Sequence, residues 1–286
     1  MQKEDLFIAI PRNIVIGIFD TETKTETMKP LNKFELSVFV LLNLRKNYFY
    51  NHLSTTLYID LLLDDMKISK RSENRNKIIT AVKDFEARGL ITLINRDDKC
   101  FTYELEVLKS YKNDDDKGFL KLHVDDAIKI YKFINDGELT AFRLYILLLT
   151  LNSFNHFNLK QHYIHYLSAK LALGKRAIQN ALKYLKENHY ICQLHTGERN
   201  ESNRVPAHYI AFDTYNPLCY YLEFLKLHNR RIIHKGVNNY TDLEIENDKQ
   251  IVSLLQKATK QKKKKKKVGT FALIENGFNT EKDLPF

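Results

Sequence analysis

Two short stretches carry side chains of the kinds that read nucleic-acid bases. In the segment 76–85, Ile78, Ala81, Val82 and Phe85 fall on one face of a helix at 100° per residue, which turns Asn76, Ile79, Thr80 and Lys83 outward. In the segment 175–185, Ile178, Ala181, Leu182 and Leu185 form the inner face, and Arg176, Gln179, Asn180 and Lys183 point out. Arginine pairs two-pronged with guanine, asparagine or glutamine with adenine, and an aliphatic chain meets the thymine methyl. Lys70, Arg71, Arg75 and Lys77 flank the first stretch, and Lys170 and Lys175 flank the second. Such cations hold phosphates and fix the register on a duplex. One such helix would read as a solvated polar face; two, each beside a basic turn, favour DNA.

Other chemistries find less support. There is no Gly-x-x-x-x-Gly-Lys-Ser/Thr segment to cradle a nucleotide. His162 and His165 have two residues between them within an expected helix, a poor match to the histidine pair of a nicking enzyme, which has one residue between its members on a strand. His189, Cys192 and His195 recur every third residue, but on a strand such positions alternate between faces, so no metal site is expected. Cys100 and Cys192 are expected at equivalent hairpin positions as small buried residues, and three widely spaced cysteines (the third is Cys219) make no disulfide framework. No catalytic constellation and no cofactor are expected.

The elements that must position the two stretches recur along the chain. A β-branched and aromatic segment at 6–19 reads as one or two strands, and 21–28 as a polar turn. Helices are expected over 32–44 with Asn32 as N-cap, over 54–65, and over 72–88 with Gly89 as the stop. Two alternating runs, 90–95 and 100–108, form a hairpin. The order then repeats. The apolar pattern of Leu31, Phe34, Leu36, Val38, Phe39 and Leu41 returns 108 residues later, and that of Ile78, Ala81, Val82, Phe85 and Ile91 returns 100 residues later. A second hairpin pairs 190–196 with 206–212. One unit of three helices and a hairpin is used twice.

Composition bounds the rest. With 286 residues and 44% apolar side chains the chain buries a core, which excludes wholesale disorder. The longest apolar run, 144–149, is too short to span a bilayer, and the first five residues lack the order of a signal peptide, so a cytoplasmic location is expected. The net charge of +10 is unevenly placed: residues 1–118 are neutral, 119–248 carry +3 and 249–286 carry +7. Residues 151–212 hold eight lysines and arginines against three acids, so the second unit is the more basic. In the last stretch Lys262, Lys263, Lys264, Lys265, Lys266 and Lys267 run together, suited to non-specific phosphate contact from a disordered tail. In the hairpin tips, Arg199 and Arg204 suit phosphate or the minor groove, or simply a soluble loop.

Three helices followed by a hairpin resemble the winged helix, a relative of the helix-turn-helix. The run from Leu167 to Leu182, with Leu173-Gly174 at its turn, is similar to a bacterial helix-turn-helix in which glycine supplies the positive φ; 61–85 is a looser match. Tandem units of this kind, preceded by a strand with Ile10-Pro11-Arg12, resemble plasmid and phage replication initiators, and transcription regulators share the same unit. Asp283, Leu284, Pro285 and Phe286 resemble the tip of bacterial single-stranded DNA-binding proteins, apart from Lys282 where that family has an acid. The resemblance implies that Phe286 enters an apolar pocket on a host replication or repair protein. A sliding-clamp peptide anchored by Leu284 and Phe286, or an accidental tail, are the other readings.

The expectation is therefore an α+β, mainly helical chain. It comprises a winged-helix domain over 1–112, a linker over 113–118, a second winged-helix domain with a helical extension over 119–248, and a lysine-rich tail over 249–286. The aromatic segment 215–228 packs on the second unit or forms a homodimer contact. The expected partners are double-stranded DNA, at a plasmid or phage origin or at a promoter, and a host protein, with no membrane.

Overall fold

The structure is a computed structural model and describes residues 7–20, 25–45, 54–106, 118–151, 164–195 and 207–212. The chain divides into two units, one of Met1–Leu194 with Pro206–Pro217, the other of His195–Val205 with Leu218–Phe286. Apart from His195, all the described residues belong to the first. Of the 113–118 linker only Gly118 is described; the helical extension and the tail lie outside the described residues.

The first unit is mixed α/β, with helices predominating and small antiparallel sheets. It opens with β1 (Phe7–Pro11), α1 (Arg12–Ile16), β2 (Ile18–Asp20) and β3 (Thr25–Met28). The polar segment expected as a turn over 21–28 thus ends in a strand, held by pairing with β2. Next come α2 (Lys33–Arg45), β4 (Ser54–Tyr58), α3 (Ile59–Asp65), α4 (Ser72–Ala87), β5 (Ile91–Arg96) and β6 (Cys100–Leu105). A helix over all of 54–65 is not what forms: Ser54–Tyr58 is extended because Thr55, Thr56 and Leu57 find a ladder on β6. The sheet order is β4-β6-β5. The second half has β7 (Phe119–His123), α5 (Val124–Asn135), α6 (Leu139–Leu151), α7 (Ile164–Leu171), α8 (Lys175–Glu187), and the paired strands β8 (Ile191–His195) and β9 (Ala207–Ala211).

Helices α2 and α6 form the centre. Every side chain from Leu36 to Asn43 and from Ala141 to Thr150 is buried, so these helices have no solvent face. The entry to α2 is a reciprocal cap: Asn32 Oδ1 accepts from the N–H groups of Phe34 and Glu35, and Glu35 Oε2 accepts from the Asn32 N–H at 2.8 Å. The two helices start at Lys33 and Leu139, 106 residues apart, two fewer than the 108 expected. An apolar pattern on a helix buried all round cannot fix its own register. The third helices keep their offset of 100: Ile78, Ala81, Val82, Phe85 and Ile91, and their counterparts Ile178, Ala181, Leu182, Leu185 and Ile191, are all buried.

The two halves share one continuous core. Strands β1 and β7 pair antiparallel about Ala9↔Lys121, and each leads directly into a helix. Superposing Pro11 on His123 maps the pair Phe7↔His123 onto Phe119↔Pro11, so a local twofold axis passes between Ala9 and Lys121. The packing also crosses between the halves: α1 lies on α6, and α5 lies both on α2 and on α6 of its own half. Asp65 fastens the crossing. Its carboxylate takes two bonds from Arg45, at 2.5 and 3.1 Å, and one from Tyr131 at 2.9 Å, while its carbonyl accepts from Asn135. Burial pushes the Tyr131 hydroxyl up, with the Asp65 charge adding to it.

Five helices end in the same way, with a left-handed residue and paired 6→1 and 5→2 bonds. The left-handed residue is Gly89 after α4 and Gly137 after α5, as glycine's freedom allows. It is Lys67 after α3, Ala172 after α7 and His189 after α8. We expect Ala172→Gly to stabilise the fold by about 1 kcal/mol and Gly89→Ala to destabilise it by about as much. Urea unfolding midpoints check both, and two shifts of the same sign would contradict this assignment of backbone strain.

Candidate nucleic-acid interface

Each half offers two helices joined by a turn, with the second helix exposed along one face. In the second half the turn is short. Helix α7 ends at Leu171, and α8 begins at Lys175 after Ala172, Leu173 and Gly174. The positive φ expected of Gly174 is absent. Gly174 has φ −64 and is the N-cap of α8, and Ala172, with φ 51, makes the reversal instead. The Ser168 hydroxyl donates to the Leu173 carbonyl and clasps the turn. Buried Arg143, from α6, donates to the Leu171 carbonyl at 2.9 Å, a cation at the end of α7. Burial lowers the pKa of that guanidinium.

Helix α8 is fixed from behind by an aromatic cluster. Phe133 of α5 meets Tyr145, Tyr184 and Tyr190 at centroid separations of 6.0, 5.8 and 4.3 Å. Its outer face carries Lys175, Arg176, Gln179, Asn180 and Lys183, all exposed, as expected; Lys170 is half-buried. The first turn of α8 holds no acid, and Gly174 supplies no side-chain cap. Two cations at a helix N-terminus oppose the helix dipole, which favours anions there. An arrangement that helix stability disfavours becomes favourable once a phosphate binds between those cations and the free N–H groups. Among the described residues, the one ion pair on this face is Lys183–Glu187, at 3.8 Å.

The first half is differently charged. Its connection, 66–71, is longer, and Asn74 Nδ2 binds the Ser69 carbonyl and hydroxyl across it. Arg71, Asn76, Thr80 and Lys83 are exposed. Ile79 is half-buried against the core, which leaves Thr80 as the freer methyl on that face. Arg75, however, makes a two-pronged pair with Asp60: Nε to Oδ1 at 2.8 Å and Nη2 to Oδ2 at 2.9 Å. Lys70 pairs with Asp64 at 2.8 Å and Lys77 with Glu73 at 2.6 Å. The hydrogen bond from Arg75 holds the Asp60 carboxyl below its ordinary value, and that from Lys77 does the same for Glu73. The Arg75–Asp60 and Lys77–Glu73 pairs therefore support the fold above the usual carboxylate range and are lost as pH falls through the lowered values. Sequence spacing gave no sign of the Asp60 pairing, because Asp60 and Arg75 are fifteen residues apart on different helices.

The first hairpin closes on Asp97, whose Oδ1 accepts from the N–H groups of Lys99 and Cys100, both at 2.7 Å. Those backbone bonds hold the Asp97 carboxyl low. The Lys99 carbonyl accepts from Ile59, tying the hairpin to the start of α3. The tip of the second hairpin, with Arg199 and Arg204, lies outside the described residues, as do Lys262–Lys267 and Asp283–Phe286.

The two cysteines are not at equivalent positions. Cys192 lies on the first strand of its hairpin and is buried, whereas Cys100 begins the second strand of the other and is half-buried, its thiol 3.3 Å from Asp97. Among the described residues no group of three His, Cys, Asp or Glu side chains could hold a metal ion, and no helix is long and apolar enough to cross a membrane.

No protein-family model, curated protein or solved structure matches this chain.

Burial pushes the Cys192 thiol up to about 12. At pH 8.5 it should resist iodoacetamide in the native protein and react only after unfolding in urea, as peptide mass spectrometry would show. Rapid native labelling of Cys192 would refute its burial.

Proposed function

We propose that this protein binds double-stranded DNA sequence-specifically through two winged-helix units, and that it is a replication initiator of a bacterial plasmid or phage rather than an enzyme. The observation that carries the reading is α8. It presents Arg176, Gln179 and Asn180 on an exposed face, with Lys175 at the edge, and the cations at its N-terminus have no acidic partner among the described residues. Arg176 would read guanine, Gln179 or Asn180 adenine, and Lys175 and Lys170 would hold the flanking phosphates.

The winged-helix reading is supported by the order of the first half: helix, strand, helix, helix, hairpin, with the lone strand β4 pairing on the far strand of the hairpin. The second half has three helices and a two-stranded hairpin in the same order, without a counterpart of β4 among its described residues. The initiator reading draws on sequence: the tandem units, the preceding Ile10-Pro11-Arg12 and the Asp283-Leu284-Pro285-Phe286 segment, the proposed contact for a host replication or repair protein. The lysine run would add sequence-independent affinity.

Arg176→Ala should cost about 1–3 kcal/mol on the specific site and relax discrimination at one base pair. Footprinting on the DNA flanking the gene identifies the site, and titrations against single-base variants measure the loss. Equal losses on specific and random duplexes would reduce Arg176 to a phosphate contact. A plasmid carrying the gene with its flanking DNA should replicate autonomously, and deleting Phe286 should abolish replication without altering duplex binding. Repression of a promoter with no replication would favour a transcription regulator.

A further inference from the structure

Resting on the duplex-binding reading, we propose that the first unit is restrained by its own carboxylates: Asp60, Asp64 and Glu73 occupy Arg75, Lys70 and Lys77 and limit the phosphate contacts that unit makes. The two halves can be aligned residue by residue through their left-handed turns. Lys67 and Ala172 end the second helices, so Asp60 corresponds to His165 and Asp64 to Ala169. Gly89 and His189 end the third helices, so Glu73 corresponds to Leu173. At all three positions the first half has an acid that holds a cation, and the second half has none.

The Arg75 pair shows how the restraint works. The guanidinium offers a planar fork, and Nε and Nη2 are both spent on the Asp60 carboxylate. A phosphate would take the same donors in the same geometry. For that fork to meet a phosphate, DNA must displace Asp60 from Arg75. Asp60 and Arg75 are each 41% exposed, so the exchange is graded rather than blocked. The lowered carboxyl of Asp60 keeps the restraint in place across neutral pH. Its effect is to hold down affinity for bulk DNA, which competes with any specific site in proportion to its abundance. Discrimination is left to the second unit.

A double-mutant cycle on the full chain tests this, read as binding to a short random-sequence duplex across a salt series. Asp60→Asn should bind roughly fivefold to tenfold tighter at about 0.1 M salt, with a log–log slope steeper by about 0.9, the signature of one recruited phosphate contact. Arg75→Ala alone should bind as the wild type does, and Asp60→Asn added to Arg75→Ala should gain nothing. The cycle of Asp64→Asn with Lys70→Ala repeats the test independently, with circular dichroism confirming that each variant is folded. A gain that persists without Arg75 overturns the proposal, because net charge alone would then be at work. No gain in either cycle, with Arg176→Ala still weakening binding, overturns the restraint and leaves the DNA reading standing. No duplex binding by any form, wild type included, overturns both.

Discussion

Two helices with no solvent face set the conditions for everything around them. Helices α2 and α6 bury eight and ten consecutive residues, and every direction around their axes must be filled by apolar partners. One three-helix unit cannot supply that cover. The halves therefore share their cover: α1 lies on α6, α5 lies on both α2 and α6, and the β1–β7 pair brings these contacts to one place. The buried polar side chains of α2 and α6 are bonded. Asn43 donates to the Phe39 carbonyl, Thr150 to Ile146, and Tyr103 to Leu42 at 2.6 Å. Such groups would each cost about 1–3 kcal/mol if left unsatisfied.

The outer layer is simpler, and there the halves diverge. Both third helices present four buried apolar residues to the centre, and Phe39 packs edge-on to Phe85 at 5.7 Å in the first half where the Phe133 cluster supports α8 in the second. The same inner face carries opposite electrostatic designs outside. In the first half acids answer the cations locally; in the second the cations at the start of α8 have no acid in their turn. Fold and charge are thus under separate control: the core fixes where the helices lie, and a few exposed positions decide what they attract.

Much of this was legible in the sequence, in proportion to how local the determinants are. The inner faces of α4 and α8 followed from 3.6-residue spacing, the start of α2 from Asn32, and the end of α4 from Gly89. Strand β4 was missed because Ser54–Tyr58 carries no alternation of its own; it is extended because β6 is beside it. The turn before α8 was misread because Gly174 drew the positive φ that the geometry gives to Ala172. Local spacing could not show the pairing of Asp60 with Arg75, the Asp65 cluster or the packing of α1 on α6 and of α5 on α2, since each joins residues distant along the chain. The recurrence of similar helices pointed to duplication, but nothing in a linear pattern distinguishes two beads from an interlocked pair.

The ladder between β5 and β6 slips between Leu93 and Asn95, leaving Ile94 bulged and 55% exposed on the outer strand of the three-stranded sheet. An outer strand is an open template for another chain, and a bulge bends and twists it locally. Here the irregularity divides a six-residue edge into runs too short to recruit a strand in register. A residue that looks like a hydrophobic blemish thus marks the place where edge-to-edge growth of a fibre would stall, which lets the sheet keep a β-branched sequence at its rim without feeding aggregation.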